Sequence, residues 1–280
     1  MKTCYDGSVQ MDLNSESYWE NRFKTDWKEV KGREQTLIHY EALIDYLPEW
    51  MNDSIKENNY SICDMGCGMG EGANELHKAF PTSKVYGMDF SQTAIDEANS
   101  QYKDENLTYF KGNIYDCDEK FDIIVTSHTL EHFENPFEIV ENLSPNCKYF
   151  IITVPFREWP LWREHCFSFQ YESFPLNIGG KKLIYFKEID PMFYPAGNYT
   201  MREQILVIYA NKDLVEDFSL DKLNTFYDEK LNLQDEVKKL KKQNKELSKK
   251  NKKLDKQNKH FKSTKAYKVW IKYAGLKDKL

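Results

Sequence analysis

The chain has 280 residues, 40% of them hydrophobic and 15% aromatic, enough for one sizeable domain plus an appendage. Its net charge of −6 hides a split: from Lys230 to Leu280 there are 18 Lys and no Arg against five acids, a net of +13, which leaves −19 on the other 229 residues. An acidic body argues against nucleic acid as substrate. Six scattered Cys without CxxC spacing argue against a zinc or dithiol motif, and the lack of a long apolar run argues against a membrane span, so a cytoplasmic setting with free thiols is expected.

Residues 1–50 read as an N-terminal arm and helical cap. Residues 1–17 are polar and featureless, a loose arm, and Tyr40, Leu43, Ile44 and Leu47 then take helical spacing up to Pro48. Trp19, Phe23 and Trp27 are expected to pack on the main sheet, with Tyr18 and Arg33 as candidates for closing a pocket. Residues 51–212 alternate strands with helical segments: strands at Ile62–Asp64, Lys84–Asp89, Leu107–Lys111, Phe121–Thr126 and Tyr149–Val154, then Leu183–Ile189 and Ile205–Ala210. Ser91 caps one helix and another runs from Asn135 to Leu143. The pattern predicts an α/β class with a Rossmann-like, mostly parallel seven-stranded sheet and helices on both faces. It breaks from Pro155 to Gly180, an aromatic, Pro-interrupted stretch past a strand's C-terminal end, where such sheets keep their ligands. The segment P-M-F-Y-P-A-G-N-Y near 191–199 reads as a turn-rich loop.

The stretch I-C-D-M-G-C-G-M-G-E-G-A-N-E-L, from Ile62 to Leu76, is a strand, a tight turn and a helix start. Gly66 and Gly68 fit the dinucleotide fingerprint G-x-G-x-x-G, but its third glycine is Glu71 here. Glu71 would repel phosphates, and Asp64 before the turn suits a cationic ligand instead. The pattern D-x-G-x-G-x-G, with Asp89 at the end of the second strand and D-I-I-V-T-S-H-T-L-E-H-F-E-N-P at the fourth, resembles the class I S-adenosylmethionine-dependent methyltransferases over about Tyr18 to Ala210.

That resemblance implies S-adenosyl-L-methionine as cofactor. It implies that Asp64, Gly66, Cys67, Gly68 and Gly70 serve its methionine end, Asp89 its ribose, Phe90 the adenine face, and Asn113 with Ile114 the adenine edge, Asp116 being close by. Ser127 and His128 would lie near the methyl group. For an acceptor hydroxyl a general base is expected, and His165, His128 and His132 are the candidates, the first two foremost. No metal is expected, since no His and acidic residues combine at ligand spacing in the sequence.

Residues 213–265 read as a parallel two-stranded coiled coil, hence a homodimer. Heptads place Leu223, Lys230, Val237, Asn244, Asn251 and Asn258 at a, and Phe226, Leu233, Leu240, Leu247, Leu254 and Phe261 at d. Residues 266–280 set Val269, Trp270, Tyr273 and Leu276 among lysines, a basic amphipathic segment able to meet a membrane's inner face or a glycan synthase. The order of parts resembles bacterial cell-surface polysaccharide enzymes, which implies O-methylation of a sugar or related small acceptor. The alternative is a coiled-coil assembly protein of a glycan-synthesis complex, with a non-catalytic methyltransferase-like domain.

Overall fold

The computed structural model describes residues 3–6, 9–189, 202–216, 220–265 and 267–271. The 191–199 loop, Tyr273 and Leu276 lie outside them. The chain divides into two compact units, 1–223 and 224–280.

In the first unit the arm is not featureless. Its strands β1 (Thr3–Asp6) and β2 (Val9–Asp12) pair as an antiparallel hairpin. Ser15 then caps α1 (Glu16–Thr25), its hydroxyl accepting from Tyr18 N at 3.2 Å. Helix α2 (Gly32–Tyr46) comes next and ends before Pro48 as expected, and Pro48 then also opens a further helix, α3 (Glu49–Asn58). Proline's fixed φ suits a helix start as well as it terminates one. Met51 and Ile55, four apart, bury the inner stripe of α3.

The core is a sheet flanked by helices. In chain order come β3 (Ile62–Met65), α4 (Glu71–Ala79), β4 (Val85–Asp89), α5 (Gln92–Gln101), β5 (Leu107–Lys111), β6 (Ile123–Ser127), α6 (Pro136–Leu143), β7 (Tyr149–Pro155), β8 (Asn177–Ile178), β9 (Lys181–Ile189) and β10 (Gln204–Asn211), closed by α7 (Lys212–Glu216). The strand order is β5-β4-β3-β6-β7-β10-β9-β8. Strands β5 to β7 run parallel, and β10 inserts antiparallel between β7 and β9. The sheet thus has eight strands rather than seven; β8 is a two-residue strand pairing only with β9, too short to leave a hydropathy pattern. Strands β3, β6 and β7 are buried throughout, as central parallel strands covered on both faces must be. The order reverses between β3 and β6, and the crevice beyond their C-terminal ends is where an open α/β sheet places a ligand.

The second unit contains most of α8 (Leu220–Ser263), a 44-residue helix. Leu240, Leu247, Leu254 and Phe261 are all more than half exposed on it. Among the described residues no helix is long and apolar enough to cross a membrane.

Candidate active site

The glycine turn after β3 spends its own N–H groups. Gly66 N and Cys67 N both donate to Met88 O, at 2.8 and 3.0 Å, and Gly70 N donates to Cys67 O at 3.0 Å. Gly68 N donates to a carboxylate oxygen of Asp89 at 2.9 Å, and Ser91 N donates to the other at 2.8 Å. Those four turn donors are therefore committed, and the loop is not a phosphate cradle. Gly66, at φ +83°, lets Thr129 approach so closely that a Cβ there would lie 2.6 Å from its methyl. That contact brings the segment after β6 against the turn.

Asp64 and Gly70 stand behind this wall rather than on the cleft surface. Asp64 is fully buried, its Oδ1 accepting from the Tyr40 hydroxyl, while its Oδ2 has no hydrogen-bond partner. Burial pushes its carboxyl up to about 7, with Tyr40 pulling the other way. Gly70 caps α4 at φ +89° and packs on Ala98 and Tyr109. Asp89 is buried at the end of β4; burial raises its carboxyl to about 6 against the lowering effect of the Ser91 and Gly68 N–H groups.

The other eight expected cofactor residues, Gly66, Cys67, Gly68, Asp89, Phe90, Asn113, Ile114 and Ser127, line one cleft of about 1540 Å³. Asn113 Oδ1 accepts from Tyr115 N at 3.0 Å, which fixes the amide at the cleft's edge. Trp19, Phe23 and Trp27 do not pack on the sheet. They form a small cluster over Met69 and Ala94, at the turn and α5, and face the same cleft. Tyr18 is buried instead, its hydroxyl donating to Glu164 at 2.7 Å, and Arg33 lines a separate small pocket beside Glu71.

The far wall gathers the histidines. His128 follows β6 in the left-handed region at φ +53°, a backbone state that costs a non-glycine residue energy and recurs at functional sites. Its ring stacks on His39, centroids 3.6 Å apart. His39 Nδ1 lies 2.6 Å from the Gln204 amide nitrogen, so that ring nitrogen accepts. Burial, then the neighbouring His128, holds His39 well below its ordinary pKa, hence neutral. His128 Nδ1 faces Glu131 Oε1 at 3.3 Å, and its buried Nε2 has no partner. Burial opposes the charge of Glu131, yet the facing His128 imidazole keeps that carboxyl near 2.

His165 reaches the cleft from the aromatic stretch. Its Nδ1 sits 2.5 Å from Glu158 Oε2, and Arg202 donates to the other Glu158 oxygen at 2.6 Å. The stretch is stitched down by Cys166 N and Phe167 N, which donate to Glu131 O at 2.7 and 3.2 Å. His132, on a 3₁₀ turn at Leu130–His132, packs edge-on against both Trp19 and His165. From the arm, Asn14 donates to the carbonyls of Glu164 and His132 at 2.7 and 3.0 Å, so the arm braces the site. His39, Gln204, Glu131, Glu158 and Asn14 were not signalled by the sequence, because each gains its part only through partners distant in the chain.

Residues 62–147 match the family description of a methyltransferase domain. The match runs from β3 past α6, the part of the sheet that carries the glycine turn and Asp89. Over 98 residues the chain is 29% identical to a malonyl-[acyl-carrier protein] O-methyltransferase of Bacillus cereus, covering 32% of this chain and 36% of that protein. Over 78 residues it is 32% identical to a trans-aconitate 2-methyltransferase of Deinococcus radiodurans, covering 28% and 30%. The chain spans about a third of the length of these curated relatives. The fold is similar to that of a magnesium protoporphyrin IX methyltransferase from Synechocystis solved with S-adenosylhomocysteine: TM-score 0.52, 13% identity, 71% of this chain and 100% of that one.

The cleft fits a cationic cofactor. The committed N–H groups of the turn, the Asp89 carboxylate at the strand end and the unpartnered Asp64 oxygen behind it suit a sulfonium and an ammonium, and would oppose a diphosphate.

Proposed function

We propose that the protein uses S-adenosylmethionine to methylate a hydroxyl group, on a sugar or related small acceptor of surface-glycan synthesis. The observation that carries this reading is one cleft holding both the glycine turn with Asp89 and an imidazole, His128, whose buried Nε2 has no hydrogen-bond partner. When bound, S-adenosylmethionine supplies a methyl electrophile on its sulfonium. In this reading Asp89 accepts from the ribose hydroxyls, Phe90 and Ile114 flank the adenine, Asn113 meets its edge, and Gly66, Cys67, Gly68 and Ser127 surround the methionine end. His128 serves as base: Glu131 faces its Nδ1 and orients the ring, leaving Nε2 to take the hydroxyl proton. His165 is the second candidate, oriented in the same way by Glu158.

The charges of the cleft favour a neutral acceptor. Glu131, Glu134, Glu138, Glu158 and Glu164 line it. Of its arginines, Arg22 pairs with Asp26, Arg202 with Glu158, and Arg163 is also engaged. An acceptor bearing a carboxylate would meet net repulsion, whereas sugar hydroxyls can donate to these carboxylates. Trp162, more than half exposed in the cleft wall, offers a flat apolar face of the kind sugar rings stack on.

The exposed row Leu240, Leu247, Leu254 and Phe261 on α8, with Asn at the a positions between, supports a parallel homodimer through the tail, one that leaves the lysines in water. The same row supports the second reading, an assembly protein whose tail recruits a glycan-synthesis partner. Transfer of labelled methyl groups from S-adenosylmethionine into a cell extract, fractionated into glycan, lipid-linked glycan, protein and small acids, separates them. Label is expected in a glycan-bearing fraction. Label only in protein or small acids overturns the acceptor, and no label in any fraction leaves the assembly reading.

A further inference from the structure

Glu131, His132 and His165 come together although the last two lie 33 positions apart in the chain: each offers one ligand atom, and these atoms lie within 4.8 Å of one another. All three line the cleft.

Glu131 is 1% exposed, and neither of its carboxylate oxygens has a hydrogen-bond partner. A buried carboxylate in that state is costly unless something positive faces it. His128 Nδ1 faces Oε1 at 3.3 Å, and neither His132 nor His165 donates to either oxygen, so the carboxylate still has room for a cation.

The tautomers are set by the partners. His132 Nδ1 lies 3.2 Å from the carbonyl oxygen of Glu164, which can only accept, so Nδ1 carries the hydrogen. His165 Nδ1 lies 2.5 Å from a Glu158 carboxylate oxygen, and Arg202 on the other oxygen keeps that group acceptor-only. In both rings Nε2 is left with its lone pair. An imidazole fixed through Nδ1–H to a carbonyl or carboxylate, with Nε2 left to ligate, is the arrangement that orients metal-ligating histidines. The backbone bonds from Cys166 N and Phe167 N to Glu131 O lock the two segments to each other.

We infer that Glu131, His132 and His165 bind one divalent first-row transition cation, with its open positions facing the cleft. Two imidazoles and one carboxylate suit Zn²⁺, Co²⁺, Fe²⁺ or Mn²⁺ better than Mg²⁺ or Ca²⁺, which prefer all-oxygen sites. Three protein ligands leave room for outside oxygens. Resting on the methyl-transfer reading, those oxygens are neighbouring hydroxyls of the acceptor, which the cation holds in front of His128. This gives the acid-lined cleft a preference for a diol such as a sugar.

The test is titration of the untagged, metal-stripped full chain with Co²⁺, monitored by visible absorption, with Zn²⁺ competition. One Co²⁺ per chain is expected, displaced by Zn²⁺. His132→Ala and His165→Ala should each weaken it at least about tenfold, and Glu158→Gln by about 10- to 100-fold, with circular dichroism unchanged. These three variants are better probes than Glu131→Gln, since they reach the same point from less buried positions or through a ligand's partner. No stoichiometric Co²⁺ band, or a band of equal affinity in the His132→Ala/His165→Ala double variant, overturns the inference. Equilibrium dialysis of labelled S-adenosylmethionine on the same preparation keeps the two readings apart. Cofactor bound without Co²⁺ removes the cation site alone. Co²⁺ bound without cofactor supports the cation site and removes methyl transfer.

Discussion

Asp89 ties the glycine turn to the second strand of the βαβ unit, with one carboxylate oxygen on Gly68 N and the other on Ser91 N. The lone pairs left over are those proposed for the ribose. Removing a charged hydrogen-bond partner costs about 1.5–3 kcal/mol, so Asp89→Ala should weaken S-adenosylmethionine roughly 10- to 100-fold. Affinity should also depend on pH. Asp89 titrates at about 6 and Asp64 at about 7 in the ligand-free protein, and a cationic ligand favours their ionised forms. The dissociation constant should therefore fall as pH rises from about 5.5 to 7.5, and a flat profile would count against it. The same shift bears on folding. Asp64 is raised above its unfolded value of about 3.9, so its contribution is fully present below about pH 4 and lost as pH rises through about 7. His39, buried neutral, works in the opposite direction. The clean comparison is the melting-temperature difference between Asp64→Asn and the wild type, which should grow in the variant's favour from about pH 4 to 8. His128→Ala should leave cofactor affinity within about twofold and lower turnover about 10²- to 10⁴-fold, measured under single-turnover conditions.

At the scale of elements, the turn that joins β3 to α4 carries the site. Gly70 sits at φ +89°, and a Cβ there would lie 2.7 Å from Ala98 and from Tyr109. Gly70→Ala should cost about 2–4 kcal/mol, read from the urea midpoint. This turn was legible in the sequence because everything it needs is local: an apolar strand, glycines where φ is positive, an acid at the end of the next strand. The seven main strands were legible for the same reason, since short apolar runs bounded by turn residues mark strands whether they run parallel, as β3 to β7 do, or antiparallel, as β9 and β10 do. What was not legible depended on distance or on weak pattern. The β8 strand is two residues long. Helix α3 was hidden by Pro48, which can close one helix or open another. The arm looked featureless because a hairpin of polar strands has little hydropathy signal, and its Asn14 gains meaning only against Glu164 and His132. Glu131, His132 and His165 look like no ligand set in sequence, because the cluster exists only once the aromatic stretch folds back over the end of β6.

For the whole molecule, the polar balance that makes the mean hydropathy −0.73 resides largely in α8 and the C-terminal residues beyond it. Full-length protein should scatter light as a dimer, and the double substitution Leu247→Lys/Leu254→Lys, at two exposed d positions, should give a monomer with the same affinity for S-adenosylmethionine. A wild-type monomer would remove the coiled-coil homodimer. The body that holds the cleft and the tail thus make separable claims, and the central one belongs to the cleft. Isothermal calorimetry of the full-length wild type and of Asp89→Ala with S-adenosylmethionine tests it most directly. The expected result is one cofactor per chain for the wild type, with binding weakened at least about tenfold in the variant; no binding by the wild type, or equal binding by both, would contradict it.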